Sequence, residues 1–336
     1  MKIAHRIAGE IQSLMFSTVL FLIRSLPYPL VVAVGKTLGI LGWILDPLHR
    51  RISNLQIRHA LGTRGEETLI TKKVFINQVL LMIDALRFAY LDDDEIKKRV
   101  VIEGRENLEA VLSSGRGVLG ITAHMNWEVL GNIPRLLGIE FCVMGRIHKN
   151  PRIQAIMEDI RSRCGFVYLP PKGGMVPMLI KELKKGRLVG FVIDQMGKRD
   201  SGLFCDFLGM PAPTNPAPAF IALKGDALVI PVATIKEGDH YRFRFEQPID
   251  TRSYQDDYTQ IDSVFDSWKS RAVQELSTWM QAWVSSVVRE HPEQWLWLHS
   301  RWTRRKDMGR IIRKGLDFRA YVIAQANTYA DRSREQ

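Results

Sequence analysis

Apolar and polar positions along this chain follow two rhythms, one helical and one suited to buried strands. Over 66–90 the apolar residues recur at helical spacing, and a charged stretch follows at 91–99. Short apolar runs then appear at 118–123, 141–146, 166–169, 188–193, 228–235 and 241–245, with the length and β-branched content of strands. Segments of helical periodicity lie between them, at 127–137, 151–164, 173–185 and 216–224, and a long one covers 261–289. In that last segment Trp268, Leu276, Trp279 and Trp283 sit at near-helical spacing, which suits packing better than a ligand site. Strands separated by helices predict an α/β fold, a largely parallel twisted sheet flanked by helices, with the site at the C-terminal ends of the strands. No internal repeat or low-complexity segment interrupts the pattern.

The first fifty residues follow neither rhythm. The run 15–23 is apolar apart from Ser17 and Thr18, Arg24 breaks it, and 26–45 continues with Pro27, Pro29 and Lys36. The first run is shorter than the ~20 apolar residues a bilayer span needs, and the second crosses only if Lys36 is accommodated. Basic flanks at Lys2, His5, Arg6, Arg24, Arg50 and Arg51 suit an anionic cytoplasmic surface. No small-residue cleavage site follows cleanly, as a secretory signal would require. The expectation is an N-terminal helical membrane anchor over 1–50, spanning or lying on the surface, a folded domain over 51–315 and a tail over 316–336. Two ordinary buried helices are the competing reading of 1–50.

Composition changes this picture in one respect. The 336 residues, 46% hydrophobic and 25% charged, are ordinary for a globular protein, but the formal net charge of +11 is not. Such a balance suits an anionic partner: nucleic acid, an anionic membrane surface or an acidic carrier protein. The basic tail 301–314 carries no nucleic-acid-binding motif, so nucleic acid is the least expected of the three. Cys142, Cys164 and Cys205 form neither a CxxC pair nor an even framework, which argues against disulfides and a zinc site; no metal or cofactor is expected. Gly35-Lys36-Thr37 lacks the earlier glycine of a phosphate-binding loop, and no Gly-x-Ser-x-Gly elbow of a serine hydrolase occurs.

The chemistry concentrates where the run Gly117–Ala123 ends in His124, with Glu128 four positions on, in the expected first turn of a helix. A strand that delivers a histidine to its C-terminal end is a common way to present a general base. A carboxylate on the other ring nitrogen then fixes the tautomer and raises basicity. Asp194 ends another expected strand of the same sheet, so it faces the same edge and is a second candidate for holding the imidazole. The competing readings are caps: His124 for the following helix, Asp194 for a turn.

The segment His124-Met125-Asn126-Trp127-Glu128 resembles the catalytic motif of the glycerolipid-type acyltransferases, in particular the late lipid A acyltransferases of Gram-negative bacteria. Three residues separate His124 from Glu128, where that family typically has four. Further blocks are similar in the same order: 49–55, 101–108, Arg146 with Asn150-Pro151 and Gly165, Lys184-Lys185-Gly186 leading to Asp194-Gln195, 207–214 with 229–231, and the tail Pro292-Glu293-Gln294-Trp295-Leu296-Trp297-Leu298-His299-Ser300-Arg301-Trp302. The resemblance covers nearly the whole chain. It implies a glycerolipid acyltransferase-like fold and transfer of a fatty acyl chain from acyl carrier protein or coenzyme A to a hydroxyl of a lipid A precursor or similar glycolipid. It also implies a place at the bacterial inner membrane, with the catalytic domain on the cytoplasmic side.

On that reading His124 is the base and Glu128 its partner, with Asp194 as the alternative holder. Asn126 and Trp127 shape the site. Arg146 and Arg163 are candidates for an acceptor phosphate, since guanidinium groups suit bidentate phosphate contacts, unless they are solvated charge. Arg301 contacts an anionic head group or makes a structural bridge. The apolar, proline-rich stretch 207–218 lines an acyl groove or packs the core. A transferase for another bacterial lipid, a non-catalytic membrane-associated relative and a nucleic-acid-binding protein are the remaining alternatives.

Overall fold

The computed structural model describes residues 2–144, 148, 150–169, 174–198, 203–254 and 256–334; side chains of 2–8, 144, 168 and 330–334 lie outside that description. Four helices open the chain: α1 (Lys2–Ser25), α2 (Tyr28–Leu45), α3 (Pro47–Leu61) and α4 (Glu67–Phe88). A short α5 (Asp93–Lys97) leads to β1 (Val100–Glu103), α6 (Arg105–Ser113) and β2 (Val118–Thr122). Next come α7 (Trp127–Leu130), α8 (Ile133–Leu137), β3 (Phe141–Met144), α9 (Pro151–Arg163), β4 (Phe166–Leu169), α10 (Met175–Lys184) and β5 (Leu188–Val192). The hairpin β6 (Phe204–Phe207) and β7 (Met210–Pro213) precedes α11 (Ala217–Lys224), β8 (Leu228–Glu237), β9 (His240–Phe245) and β10 (Ile249–Asp250). Helices α12 (Arg271–Glu290), α13 (Arg305–Lys314) and α14 (Phe318–Arg334) close the described chain.

The main sheet has the order β1-β9-β8-β2-β5-β3-β4, with β10 beside β8. Every pairing is parallel except β8 with β9 and β8 with β10. The α/β expectation holds: crossover helices cover both faces, so the central strand β2 is buried along its whole length and reads as one apolar run. One face packs against α10, α11 and α12, with Leu119, Ile121 and Val189 in the larger core; the other packs against α6, α7 and α8, with Val118, Leu188 and Ile230.

Three expected elements change shape for local reasons. The helix expected over 127–137 breaks into α7 and α8: Pro134 has no N–H to continue the ladder, and Gly131 lies so close to Phe166 that a Cβ there would collide with its ring. The helix expected over 261–289 begins at Arg271, because Ser270 caps it and the Asp257 carboxylate accepts from Ser270 Oγ and from the backbone N–H of Arg271 and Ala272. Of the two uses open to 207–218, core packing is the one found. Phe207, wholly buried in the hairpin, lies 5.3 Å from the ring of Trp295 and 5.5 Å from that of Trp302. The segment after residue 315 is also part of the fold, since α14 buries Phe318 and Val322 in the larger core.

Candidate active site

Register brings the site together. Strands β2 and β5 pair in parallel with Thr122 opposite Val192, and His124 and Asp194 each lie two residues beyond that pair. The Ile193 N–H donates to Thr122 O at 3.0 Å and extends the ladder past the strand ends. The Asp194 carboxylate therefore meets His124 twice: Oδ1 is 2.7 Å from ring Nδ1, and Oδ2 accepts from the His124 backbone N–H at 3.0 Å. Trp295 Nε1 donates to the same Oδ2 at 2.5 Å. Asp194 is 2% exposed, so these bonds are what keep an ionised carboxylate there.

Electrostatics follow from the geometry. Burial pushes Asp194 upward, but the imidazole charge and the bonds from His124 and Trp295 outweigh it and hold the carboxyl below its ordinary value. Burial pulls His124 downward, yet the attraction and hydrogen bond of Asp194, with a smaller contribution from Glu128, raise it above the ordinary histidine value. The carboxylate on Nδ1 makes Nδ1–H the favoured neutral tautomer and leaves the Nε2 lone pair for chemistry. That nitrogen faces the cleft, where the Gln195 amide nitrogen lies 2.9 Å from it and 3.5 Å from His299 Nε2. The two imidazoles stand 5.9 Å apart, edge to face.

Glu128 takes the other part. It does not bond the His124 ring; its Oε2 is buried without a partner, and burial raises its carboxyl above the ordinary value. The histidine holder is Asp194. The reason is the short spacing, which puts Glu128 in the first turn of α7 while the strand register already delivers a carboxylate to Nδ1.

Of Asn126, Arg146, Arg163 and Arg301, the four residues expected to shape the site or bind substrate, three are placed, each with protein partners of its own. Asn126, buried and at φ 53°, donates to Thr234 O at 3.0 Å and to Gln294 Oε1 at 2.7 Å, which fastens the β2–α7 loop to β8 and the tail block. Arg163 ends α9, just before β4 begins, so it lies at the opposite edge of the sheet from His124; it pairs with Asp159 at 3.0 Å and stacks on Tyr90. Arg301 is 1% exposed and donates to Pro213 O, Thr214 Oγ1 and Gln281 Oε1, so its guanidinium joins hairpin, α12 and tail instead of a head group. Burial pushes it down to about 10. Arg146 lies outside the described residues.

The tail block acts as a clamp on the site. Leu296 N–H donates to His124 O at 3.2 Å, and Gln56 of α3 donates to the carbonyls of Trp297 and His299 and accepts from Arg301 N. Sequence reasoning missed Gln195 and His299 as site residues. Their signals were Gln195's place beside Asp194 at a strand end, and an exposed histidine within an otherwise aromatic, buried block.

From His124 and Gln195 an apolar cavity of about 300 Å³ runs between the sheet and α7–α8. Gly120 and Gly190, register partners on β2 and β5, leave room on the sheet face, and Phe141 and Phe166 lie among its far walls. A Cβ at Gly190 would collide with the Phe141 ring. The two phenylalanine rings are 5.7 Å apart. A carboxylate-anchored imidazole at the mouth of an apolar cavity is suited to deprotonating a hydroxyl beside a bound hydrocarbon chain.

Comparison with known proteins supplies the family. The family model for bacterial lipid A biosynthesis acyltransferases matches residues 2–304. The lipid A biosynthesis palmitoleoyltransferase of Escherichia coli K12 is 23% identical over 295 residues, 85% of this chain and 89% of that protein. The lipid A biosynthesis lauroyltransferase of the same strain is 25% identical over 298 residues, 86% and 90% of the two chains. A phosphatidylinositol mannoside acyltransferase of Mycobacterium tuberculosis CDC 1551 is 29% identical over 158 residues, 46% of this chain and 49% of that one. These matches make the chain an acyltransferase. The chain belongs to the bacterial lipid A biosynthesis acyltransferase family.

Proposed function

We propose that this enzyme moves a fatty acyl chain from an acyl thioester, carried by acyl carrier protein or coenzyme A, to a hydroxyl of a lipid A precursor or related glycolipid. The observation that carries this reading is His124, its Nδ1 held by Asp194 and its Nε2 turned, beside the Gln195 amide, to the mouth of the apolar cavity. The acyl chain lies in the cavity, which brings its thioester carbonyl to Nε2.

The steps balance without a covalent enzyme intermediate, because the thioester is already activated. His124 Nε2 takes the acceptor hydroxyl's proton as the oxygen attacks the carbonyl carbon, forming the C–O bond and moving the carbonyl π pair onto oxygen. Asp194 stabilises the imidazolium. The oxyanion then collapses, the C–S bond breaks, and the thiolate leaves with the proton from Nε2. Ester and free thiol are the products.

The apolar helices point to work at a membrane. Among the described residues α2 is the helix long and apolar enough to cross one, with mean hydropathy 1.6 and only 17% of its residues buried. The large positive charge suits anionic lipid and an acidic carrier. We place the reaction at the cytoplasmic face of the bacterial inner membrane. A second acceptor class, a mannosylated phospholipid, is favoured by the match to the mycobacterial protein over about half the chain.

Full-length protein in detergent, incubated with labelled acyl thioester and bacterial lipid extract, tests the reading. Wild type is expected to label a glycolipid and His124→Ala to leave it unlabelled. Equal labelling by both removes His124 from the chemistry; no labelled lipid with either donor ends the proposal.

A further inference from the structure

Acyl transfer on this scheme creates a negative oxygen, and His124 and Asp194 do nothing for it. The side chain in position to do so is Gln195. Its amide nitrogen lies between two imidazoles, 2.9 Å from His124 Nε2 and 3.5 Å from His299 Nε2. In the neutral ring, the form that acts as base, Asp194 holds the proton on Nδ1, so Nε2 offers a lone pair and the Gln195 amide is the donor. In the resting enzyme one Gln195 N–H therefore occupies the lone pair that an acceptor hydroxyl has to use.

The hydroxyl and the amide cannot both hold that lone pair. When the acceptor binds, the amide N–H is released within a hydrogen-bond length of the attacking oxygen, beside the carbon that becomes tetrahedral. The new oxyanion is the strongest acceptor within its reach. His299 supplies the other anchor. Burial, and then repulsion from His124, hold its ring below the ordinary histidine value, so it stays neutral and accepts the second amide N–H.

We propose that the Gln195 side-chain amide is the oxyanion donor of this site, and that His299 is a positioning residue that keeps it aimed after His124 lets go. This rests on the acyl-transfer reading above. It adds a donor that exchanges one partner for another during the reaction, and it makes Gln195 a catalytic residue.

Steady-state transfer from acyl carrier protein by the full chain in detergent tests it, comparing wild type, His124→Ala, Gln195→Ala, Gln195→Glu and His299→Ala. Gln195→Ala is expected to lower kcat by about a hundredfold, the size of one lost oxyanion donor, with KM for the donor within about twofold. The acid limb of its pH–rate profile stays where the wild type has it, since His124 keeps Asp194. Gln195→Glu is expected to be slower still, because a carboxylate repels the oxyanion. His299→Ala should lower kcat less than Gln195→Ala and add little to it in the double variant. A donor analogue that carries a trifluoromethyl ketone, and so a negative oxygen when bound, should lose affinity with Gln195→Ala in proportion to kcat. If wild type transfers, His124→Ala does not, and Gln195→Ala keeps kcat within a few-fold or changes KM alone, the oxyanion role is overturned and the acyl-transfer reading survives. If wild type and His124→Ala behave alike, both fall together.

Discussion

Gly120 on β2 and Gly190 on β5 are register partners, and the two absent side chains open the cavity that leads away from His124. A Cβ at Gly120 would sit 3.7 Å from Phe141 Cε2, an ordinary contact, whereas one at Gly190 would strike that ring. The two glycines therefore predict different outcomes. Gly120→Val should fold and fill space otherwise held by about three chain carbons in a close-packed interior, shifting preference to shorter donors. Phe141→Leu should move it to longer ones. Mass spectrometry of products from a mixture of donor chain lengths reads the shift directly. An unchanged product profile in both variants would mean that the acyl chain lies elsewhere.

Asp194→Asn is the test of the His124 arrangement. Asp194 raises His124 above the ordinary histidine value, so imidazolium persists to higher pH and the free base appears as pH rises through that raised value. In wild type kcat/KM should climb along an acid limb placed above 6.5, the ordinary histidine value. Asparagine removes that charge and leaves burial opposed only by the smaller pull of Glu128, so the limb should move to lower pH. Loss of the tautomer control should cost kcat on the order of 10³-fold or more. A limb that stays put in Asp194→Asn would show that another group titrates.

Glu128→Gln should behave quite differently. Glu128 is half-buried with its Oε2 inside, makes no bond to the His124 ring, and is already pushed toward its neutral form. A neutral isostere therefore changes little, and kcat should fall by no more than about tenfold, the scale of a weak through-space interaction. A loss as deep as that of Asp194→Asn would restore Glu128 as the partner that the sequence motif first suggested.

The contrast between these two carboxylates marks how far the sequence was legible. Strand-end positions read well: the apolar runs before His124 and Asp194 placed both at one sheet edge, and the register then brought them to 2.7 Å. Side-chain direction after a loop did not read well. His124 and Glu128 are four apart in sequence, but α7 begins between them, and a helix start re-aims the side chains beyond it. Buried cations were illegible for another reason. The sequence left Arg301 between a head-group contact and a structural bridge, and only the packed structure shows it ringed by Pro213, Thr214 and Gln281. Arg163 pairs with Asp159 at the end of α9, in keeping with the solvated-charge reading left open for it.

Arg301 makes its own prediction. Replacing it with Met removes the charged donor that joins the Pro213 carbonyl, Thr214 Oγ1 and Gln281 Oε1, although Pro213 O keeps the Gly197 N–H, at a cost of about 1.5–3 kcal/mol for each charge-assisted bond lost. Chemical denaturation should show that loss as a lower midpoint. Acceptor KM of the folded fraction should stay within about threefold, since a lost charged contact would be worth ten times or more. A raised KM with unchanged stability would return Arg301 to the substrate.

The N-terminal helices set the last prediction, which concerns how the enzyme meets lipid. Helix α1 is tied to the domain along its length: Gly9 O accepts from Asn150 Nδ2 at 2.8 Å, Glu10 pairs with Arg152, and Arg87 donates to the carbonyls of Ile23 and Leu26. Helix α2 lies on α4 so closely that a Cβ at Gly39 would meet the backbone of Ile76. Helices held in this way keep one face on the domain. Yet Leu14 is 69% exposed, Phe21 65% and Leu45 75%, a concentration of large apolar side chains that water disfavours. The arrangement fits a monotopic dock, with these side chains sunk to acyl depth and the basic residues at the head groups. Leu14→Glu with Phe21→Glu should abolish flotation with anionic vesicles while transfer to a detergent-dispersed acceptor persists. Wild-type protein that stays in the pellet without lipid binding, or a double variant that floats as well as wild type, would place the membrane contact on another surface.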